Sequence, residues 1–134
     1  MKKIDTVILI DDNETTNFYN EDILLETELF NKIIVMSSGT EAIDYFSVLK
    51  NKSLPLPQLV FLDIKMPDYE GFEVLEHLEE IWKEELDKVI ICVLTTSRHK
   101  RDLEKFEKFT SAVEFLEKPL LISMIHNLIK KYFS

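Results

Sequence analysis

The sequence predicts an α/β fold built on a doubly wound parallel sheet of five strands. Two patterns carry this prediction: five short apolar runs recur along the chain, and segments with helical spacing separate them. The runs are nearly continuous in apolar character, which is typical of strands covered by helices on both faces. Because strand and helix alternate, we expect parallel pairing with right-handed crossover connections.

The apolar runs define the predicted strands in chain order. They are Val7 to Ile10, Ile33 to Met36, Leu59 to Leu62, Val89 to Leu94 and Ala112 to Leu116. The stretch Asn51 to Pro57 contains two prolines, which interrupt any regular element, so it predicts a loop. No repeat, low-complexity tract or Gly/Ser-rich linker divides the sequence, and one compact unit is expected.

The segments between the runs predict amphipathic helices, because their apolar residues recur on one helical face. Two such stripes are Phe72, Leu75, Leu78 and Trp82 in one segment and Leu121, Ile125, Leu128 and Tyr132 in another. Ser38 followed by Glu41 has the spacing of a capping box and predicts a helix start. Pro119 suits the first turn of the last helix, where its missing amide proton costs nothing.

Length and composition exclude several functional classes. The chain has 134 residues, enough for one domain and one core. Its two glycines, Gly39 and Gly71, are 32 positions apart, so neither a Walker phosphate loop nor a three-glycine dinucleotide fingerprint is present. The single cysteine, Cys92, excludes an internal disulfide and paired-thiol or zinc motifs, and suggests a reducing compartment.

The charge balance is acidic: 25 acidic and 16 basic residues give a formal net charge of −9. This charge disfavours the phosphate contacts on which nucleic-acid binding depends, and it offers no basic anchor for anionic lipid. No apolar segment approaches the roughly 20 residues of a membrane-spanning helix, and no signal peptide is recognisable. We therefore expect a cytoplasmic protein that binds neither nucleic acid nor membrane.

Polar side chains follow four of the five predicted strands, at the edge where open α/β sheets bind ligands. Asp11 and Asp12 follow the first strand and Asp63 follows the third. Thr95 follows the fourth strand, and Lys118 follows the fifth. In a doubly wound sheet these strand ends can be adjacent, which would bring three carboxylates, a hydroxyl and an ammonium group together.

Such a cluster predicts phosphoryl chemistry. Three carboxylates at one edge repel each other by several kcal/mol at an effective dielectric constant near 20, so a proton or a cation must join them. Oxygen ligands without histidine or cysteine favour a hard cation, and Mg2+ (or Mn2+) with open water positions fits. A carboxylate can also act as a nucleophile toward phosphorus, while a metal, a lysine and a hydroxyl neutralise the phosphoryl oxygens.

Four segments at these strand ends closely resemble the receiver domain of two-component response regulators, in particular stand-alone receivers of the chemotaxis type. The segments are Ile10-Asp11-Asp12-Asn13, Phe61-Leu62-Asp63-Ile64-Lys65-Met66-Pro67 followed by Gly71, Val93-Leu94-Thr95-Thr96-Ser97, and Phe115-Leu116-Glu117-Lys118-Pro119. The resemblance covers residues 4–133. It implies a (βα)5 flavodoxin-like fold with strand order 2-1-3-4-5, and a single receiver domain over residues 1–134 with no output domain.

The resemblance also implies a role for each site residue. Asp63 would accept a phosphoryl group from a phosphohistidine on a histidine kinase or phosphotransfer protein. Asp11, Asp12 and the backbone carbonyl of Lys65 would join Asp63 around Mg2+, Asp11 through a water molecule. Lys118 would pair with the phosphoryl oxygens. Phosphoryl transfer would be self-catalysed and autodephosphorylation slow, so the protein would not turn over an external substrate.

The same resemblance implies a conformational switch that changes partner binding. Thr95 would move to hydrogen-bond the phosphoryl group, and Phe115 would swing into the vacated space. An unidentified downstream protein would read the change on the fourth helix, fifth strand and fifth helix, and the chain would be a monomer or an activation-dependent dimer. A basic cluster falls on this face, where an acidic partner could dock: Arg98, Lys100, Arg101, Lys105 and Lys108.

Three positions depart from the commonest receiver pattern. Thr96 occupies a place that is usually alanine or glycine, and Lys65 is a long cation two residues after the phosphoacceptor. Both side chains are expected to alter how water reaches the acyl phosphate. Phe115 lacks the hydroxyl of a tyrosine, so a switch at this position would work by packing alone.

Two other functions are compatible with parts of the pattern. A receiver-like module could bind partners without phosphorylation, but such a module would have no need of three repelling carboxylates. A phosphatase working through an aspartyl phosphate is the second alternative. Such enzymes usually carry a second aspartate two residues after the nucleophile, and here that position is Lys65.

Overall fold

The computed structural model describes residues 3–96 and 99–133. Strands and helices alternate along this part of the chain, as predicted. The elements are β1 Ile4–Ile10, α1 Glu14–Thr27, β2 Phe30–Met36, α2 Gly39–Asn51, β3 Leu59–Asp63, α3 Gly71–Trp82, β4 Ile90–Thr95, α4 Lys100–Phe106, β5 Ala112–Glu117 and α5 Ile122–Tyr132. A 3₁₀ helix over Lys83–Lys88 follows α3 and was not predicted.

The strands form one parallel sheet in the order β2-β1-β3-β4-β5, which confirms the predicted topology. The winding direction reverses between β1 and β3, and such a reversal is where open α/β sheets bind ligands. Ile10 of β1 lies beside Leu62 of β3, and Thr95 of β4 lies beside Glu117 of β5. The strand ends that carry the predicted site residues therefore share one edge of the sheet.

Two apolar layers flank the sheet, because alternate residues of each strand point to opposite faces. Ile8 and Ile10 belong to one layer, in which residues of α2 and α3 cover the sheet. Val7 and Leu9 belong to the other layer, which α1 and α5 cover. All four side chains are at most 1% exposed, as expected for a strand covered on both faces.

The last helix begins later than the sequence predicted. Pro119 lies before α5 rather than in its first turn, and the Lys118–Pro119 peptide bond is cis. Leu121 is the N-cap residue and is 46% exposed, so it does not belong to the buried stripe with Ile125 and Leu128. The reason is that Leu120 is fully buried beneath the helix start, which anchors this segment before the helix begins.

The predicted capping box at Ser38 is only half formed. The Ser38 hydroxyl accepts a hydrogen bond from the Glu41 amide at 3.1 Å, which caps α2 as expected. The Glu41 carboxylate, however, accepts from the hydroxyl of Ser37 at 2.9 Å rather than from the Ser38 amide. The predicted loop is also shorter, because α2 continues through Asn51.

None of the helices in the described residues is both long enough and apolar enough to cross a membrane.

Candidate functional site

Three carboxylates converge at the sheet edge between β1 and β3. Asp11 and Asp12 follow β1, Asp63 ends β3, and these two strands are hydrogen-bonded neighbours. One carboxylate oxygen from each residue lies within 4.8 Å of the others. Asp11 and Asp63 are buried, at 4% and 6% exposure, whereas Asp12 is exposed. The structure thus brings together the three side chains that the sequence predicts as ligands of a cation.

Lys118 reaches into this cluster from the end of β5. Its Nζ atom lies 2.6 Å from Asp11 Oδ2 and 3.1 Å from Asp63 Oδ1. The backbone amide of Lys118 donates to the carbonyl of Thr95 at 2.7 Å, which ties the lysine to the end of β4. The ammonium group therefore bridges the two buried carboxylates from a fixed backbone position.

The pKa values of these groups reflect burial and mutual charge. Burial, and then the charge of Asp11, raise the pKa of the Asp63 carboxyl, while Lys118 opposes this rise. Burial lowers the pKa of the Lys118 ammonium, but its hydrogen bond to Asp11 and the charges of both carboxylates outweigh burial and raise it. Lys118 is thus held as a cation, whereas the carboxylate form of Asp63 is less favoured than that of a solvent-exposed aspartate.

The carboxylates line a cavity of about 180 Å³, which suits a small ion and an oxyanion better than a nucleotide. Thr95 is buried at its wall, at 1% exposure, while Lys65 and Thr96 are exposed at its rim. The full lining is Asp11, Asp12, Asn13, Thr16, Asp63, Lys65, Thr95, Thr96 and Lys118. All the polar residues predicted for this site therefore border one cavity, whereas Phe115 does not line it.

The start of α1 orients Asp11. The amide of Asn13 donates to Asp11 Oδ1 at 2.9 Å, and the side-chain amide of Asn17 donates to the backbone carbonyl of Asp11 at 2.7 Å. Asn13 is also the N-cap residue of α1 and accepts from the amide of Thr16 at 2.9 Å. No local sequence pattern reveals this role of Asn17, because only the fold places it against the end of β1.

The loop from Asp63 to Gly71 closes tightly behind the site. The Gly71 amide donates to the carbonyl of Ile64 at 2.9 Å. A β-carbon at position 71 would lie 2.6 Å from the carbonyl oxygen of Asp63 and 2.8 Å from the α-carbon of Ile64, so only glycine fits without a shift of the backbone. The backbone amide of Lys65 donates to the Asp63 carboxylate, and this bond lowers the carboxyl pKa.

The same loop is tied to the start of α2 by Asp68, a contact that the sequence analysis missed. The Asp68 carboxylate accepts from the amides of Gly39 and Thr40 at 3.1 and 2.8 Å, and from the Thr40 hydroxyl at 2.8 Å. The bonds from Thr40 hold the pKa of Asp68 well below its usual range, together with those from Gly39 and Tyr69. The partners are 28 and 29 positions away, so no local pattern could reveal them.

Phe115 does not touch the cavity but packs in the core behind it. Its side chain is 6% exposed, and its ring centroid lies 5.3 Å from that of Phe106 in α4.

Of the predicted basic cluster, Lys100, Arg101 and Lys108 are exposed, and Lys105 lies 3.6 Å from the carboxylate of Glu70. Arg98 lies outside the described residues, as does Ser97 of the segment after β4 that resembles the receiver pattern.

These features define a class of protein: a doubly wound α/β domain with a lysine-bridged acidic pocket at the point where the winding reverses. The family model described as "Response regulator receiver domain" matches residues 7–130. The chain belongs to this family.

Comparison with individual proteins supports the same assignment. Sporulation initiation phosphotransferase F of Bacillus subtilis is 30% identical over 130 residues, which cover 94% of this chain and 91% of that protein. Among solved structures, a two-component response regulator from Cytophaga hutchinsonii is 31% identical, with a TM-score of 0.89 over 98% of both chains. A response regulator receiver protein from Dyadobacter fermentans is 25% identical, with a TM-score of 0.82 over 96% of this chain and 98% of that one.

Proposed function

We propose that this protein is a phosphorylation-dependent switch of a two-component phosphorelay, in which Asp63 accepts a phosphoryl group. The observation that carries the proposal is the position of Asp63 between two further carboxylates and the Lys118 ammonium. The phosphoryl donor is a phosphohistidine on a histidine kinase or phosphotransfer protein. The relative named as a phosphotransferase, which matches nearly its whole length, supports this chemistry.

The donor set of the pocket fits a divalent hard cation. Asp11, Asp12 and Asp63 offer only oxygen atoms, and the backbone carbonyl of Lys65 is the fourth protein ligand that we propose. Mg2+ (or Mn2+) bound there would supply the positive charge that three carboxylates and a phosphoryl group require. The pKa of Asp63, raised by burial and by Asp11, is consistent with a site that needs added positive charge.

The protein's own groups act on the phosphoryl group in defined ways. A carboxylate oxygen of Asp63 forms the new bond to phosphorus as the bond from phosphorus to the donor imidazole breaks, and the imidazole leaves with its electron pair. Lys118 is already within 3.1 Å of the Asp63 carboxylate and can pair with the incoming phosphoryl oxygens. Thr95, buried at the wall of the cavity, supplies the hydroxyl.

A second cavity beside the acidic pocket offers a surface for the phosphoryl donor. It measures about 450 Å³ and shares Thr16, Thr96 and Lys118 with the pocket. Tyr19 of α1, 42% exposed, and Pro119 provide apolar walls. A donor protein seated here would bring its phosphohistidine to the rim of the pocket that Asp63 lines.

Phosphorylation would shift an existing equilibrium between two arrangements of α4, β5 and α5. We propose that Thr95 turns toward the phosphoryl group and that Phe115 follows, since Phe115 packs against Phe106 of α4 and can carry the change to that helix. A downstream protein would read the result on this face. The protein acts in the cytoplasm, where its buried thiol, Cys92, stays reduced.

Intact-protein mass spectrometry tests the proposal. With Mg2+ and a small acyl-phosphate donor, the wild-type mass should increase by one phosphoryl group, and Asp63→Ala should not respond. Asp44→Ala, at an exposed position of α2, is the matched control and should be modified like the wild type. A wild type that stays unmodified across donors and Mg2+ concentrations would favour a phosphorylation-independent interaction module.

A further inference from the structure

One buried polar atom near the start of α1 lacks a partner. Asn17 is 5% exposed, and its Nδ2 atom is committed to the carbonyl of Asp11. Among the described residues no group donates to the other amide atom, Oδ1. Because buried acceptors are nearly always hydrogen-bonded, this atom indicates a donor that the chain itself does not provide.

Asn17 lines a cavity of about 470 Å³ between α1, the edge strand β2 and the start of α2. We call this cavity the acidic groove, because four carboxylates also line it: Asp12, Glu14, Glu21 and Glu41. Within residues 3–96 and 99–133, none of these carboxylates forms an ion pair with a lysine or arginine. The groove thus combines unpaired negative charge with an unpaired hydrogen-bond acceptor.

A metal ion does not fit these groups. In the described part of the chain, the carboxylates close enough to hold an ion together are those of Asp11, Asp12 and Asp63. Glu14, Glu21 and Glu41 do not belong to such a group of three, so the groove lacks the ligand cluster of a metal site. A larger cation that carries several hydrogen-bond donors matches these groups better.

The guanidinium group of arginine has these properties. It presents five donors in a planar fork, so it can serve several carboxylates of the groove together, and it can reach the Asn17 acceptor when that buried amide turns toward the groove. Phe18, which also lines the groove, is 75% exposed and offers an aromatic face on which a guanidinium can stack. An ammonium group is more compact and more strongly hydrated, and therefore matches this spread of acceptors less well.

We propose that the acidic groove binds an arginine side chain of a partner protein. The charge of the surroundings favours this occupant, because the whole chain carries a net charge of −9 and would attract a basic surface. Glu41 is preset for the contact, since one of its oxygens accepts from the Ser37 hydroxyl at 2.9 Å and fixes the side chain. The proposed contact does not require phosphoryl transfer to Asp63, although the groove shares Asp12 with the proposed Mg2+ site.

Titration with small probes, followed by ¹H–¹⁵N NMR, tests the assignment. The probes are the α-N-acetylated amides of arginine, of lysine and of citrulline, which is a neutral isostere of arginine. Mg2+ in excess keeps the probes from the Asp11, Asp12 and Asp63 cluster, and no phosphoryl donor is present. The arginine probe should shift the Asn17 side-chain amide and the Phe18 backbone amide saturably, the lysine probe should bind more weakly, and the citrulline probe should have no effect.

Surface variants separate the groove from general charge attraction. Glu21→Gln and Phe18→Ala should each weaken the arginine probe about threefold. Glu26→Gln, an exposed charge on α1 that does not line the groove, is the matched control and should bind like the wild type. All three side chains are exposed or half-buried, so these changes should leave the fold intact.

Three results would overturn the proposal. An arginine probe that shifts neither Asn17 nor Phe18 would mean that water alone satisfies the amide. Equal binding of the lysine and arginine probes would remove the guanidinium assignment. Equal weakening by Glu26→Gln and Glu21→Gln would show that the probe senses only the charge of α1.

Discussion

Lys118 lies closer to Asp11 than to the proposed phosphoacceptor: its ammonium nitrogen is 2.6 Å from Asp11 and 3.1 Å from Asp63. The lysine therefore compensates both buried carboxylates in the unphosphorylated protein. A phosphoryl group on Asp63 would add negative charge on that side and draw the ammonium toward it. A cation bound by Asp11 would favour the same movement, because it would replace the lysine as the partner of that carboxylate.

The first prediction concerns the free energy of unfolding of Asp63→Asn. Burial and the charge of Asp11 raise the folded-state pKa of Asp63 above its ordinary value of 3.8. The folded state therefore holds this proton more tightly than the unfolded state, and the carboxyl costs stability once the pH exceeds its folded-state pKa. Asp63→Asn should unfold at a higher denaturant concentration than the wild type at neutral pH without Mg2+.

Denaturation at several pH values checks this prediction. The advantage of Asp63→Asn should shrink as the pH falls toward the unfolded-state pKa, where the wild-type carboxyl is protonated as well. Asp44→Asn, an exposed carboxyl of α2, serves as the control. A less stable Asp63→Asn at neutral pH would mean that the ion pair with Lys118 outweighs burial and the charge of Asp11.

The second prediction concerns Asp68, whose hydrogen bonds hold its pKa well below its usual range. A lowered folded-state pKa contributes stability that is present above the unfolded-state pKa and is lost as the pH falls through the folded-state pKa. Asp68→Ala should lower the free energy of unfolding by about 1 kcal/mol at neutral pH, as for loss of a helix cap. As the pH falls below 3.8, the ordinary pKa of an aspartate carboxyl, the difference from the wild type should shrink.

Chemical denaturation across this pH range measures the effect. Asp44→Ala is the control, because Asp44 is an exposed carboxyl on α2, the helix that Asp68 contacts. A difference between Asp68→Ala and the wild type that stays constant down to acid pH would show that the Asp68 charge does not stabilise the start of α2.

The third prediction concerns Gly71, whose missing side chain leaves room for the carbonyl of Asp63. Gly71→Ala should destabilise the protein by about 2 kcal/mol, because the backbone behind the site must shift. The same shift should slow phosphorylation of Asp63 by an acyl-phosphate donor. Glu76→Ala, at an exposed position of α3, is the control. If Gly71→Ala were as stable as the wild type, position 71 would not lie as close to the Asp63 carbonyl as the structure shows.

The fourth prediction concerns the lifetime of the phosphorylated state. Thr96 is exposed and lines the acidic pocket, and we expect its side chain to restrict the approach of water. If Thr96→Ala removes about 1 kcal/mol of the barrier, autodephosphorylation should become about fivefold faster. Decay of the phosphorylated mass measures the rate, and Thr15→Ala, which borders only the neighbouring cavity, should decay like the wild type. If Thr96→Ala left the rate of autodephosphorylation unchanged, Thr96 would not control the approach of water.

The sequence was sufficient to predict the sheet and the acidic pocket, because both depend on simple patterns. Apolar runs mark the strands, and the residue after each run must lie at the carboxyl edge of a parallel sheet. For this reason Asp11, Asp63 and Lys118 could be predicted to meet although 107 positions separate Asp11 from Lys118.

Other features depend on packing between distant elements and could not be predicted. In the sequence, Asp68 is an ordinary loop carboxylate, and only the fold brings the start of α2 within hydrogen-bond distance of it. Asn17 looks like a polar residue on a helix surface, yet the fold buries it against the end of β1. The start of α5 was misplaced because the burial of Leu120 overrides the local preference of Pro119 for a first helical turn.

The central claim is that Asp63, and neither of its neighbours, accepts the phosphoryl group. Tandem mass spectrometry of the protein treated with Mg2+ and an acyl-phosphate donor, after proteolysis under conditions that preserve acyl phosphates, tests it most directly. A single phosphoryl group is expected on the peptide that contains Asp63, and none is expected when a chelator replaces Mg2+. A phosphoryl group on Asp11 or Asp12, or no modification under any donor condition, would contradict it.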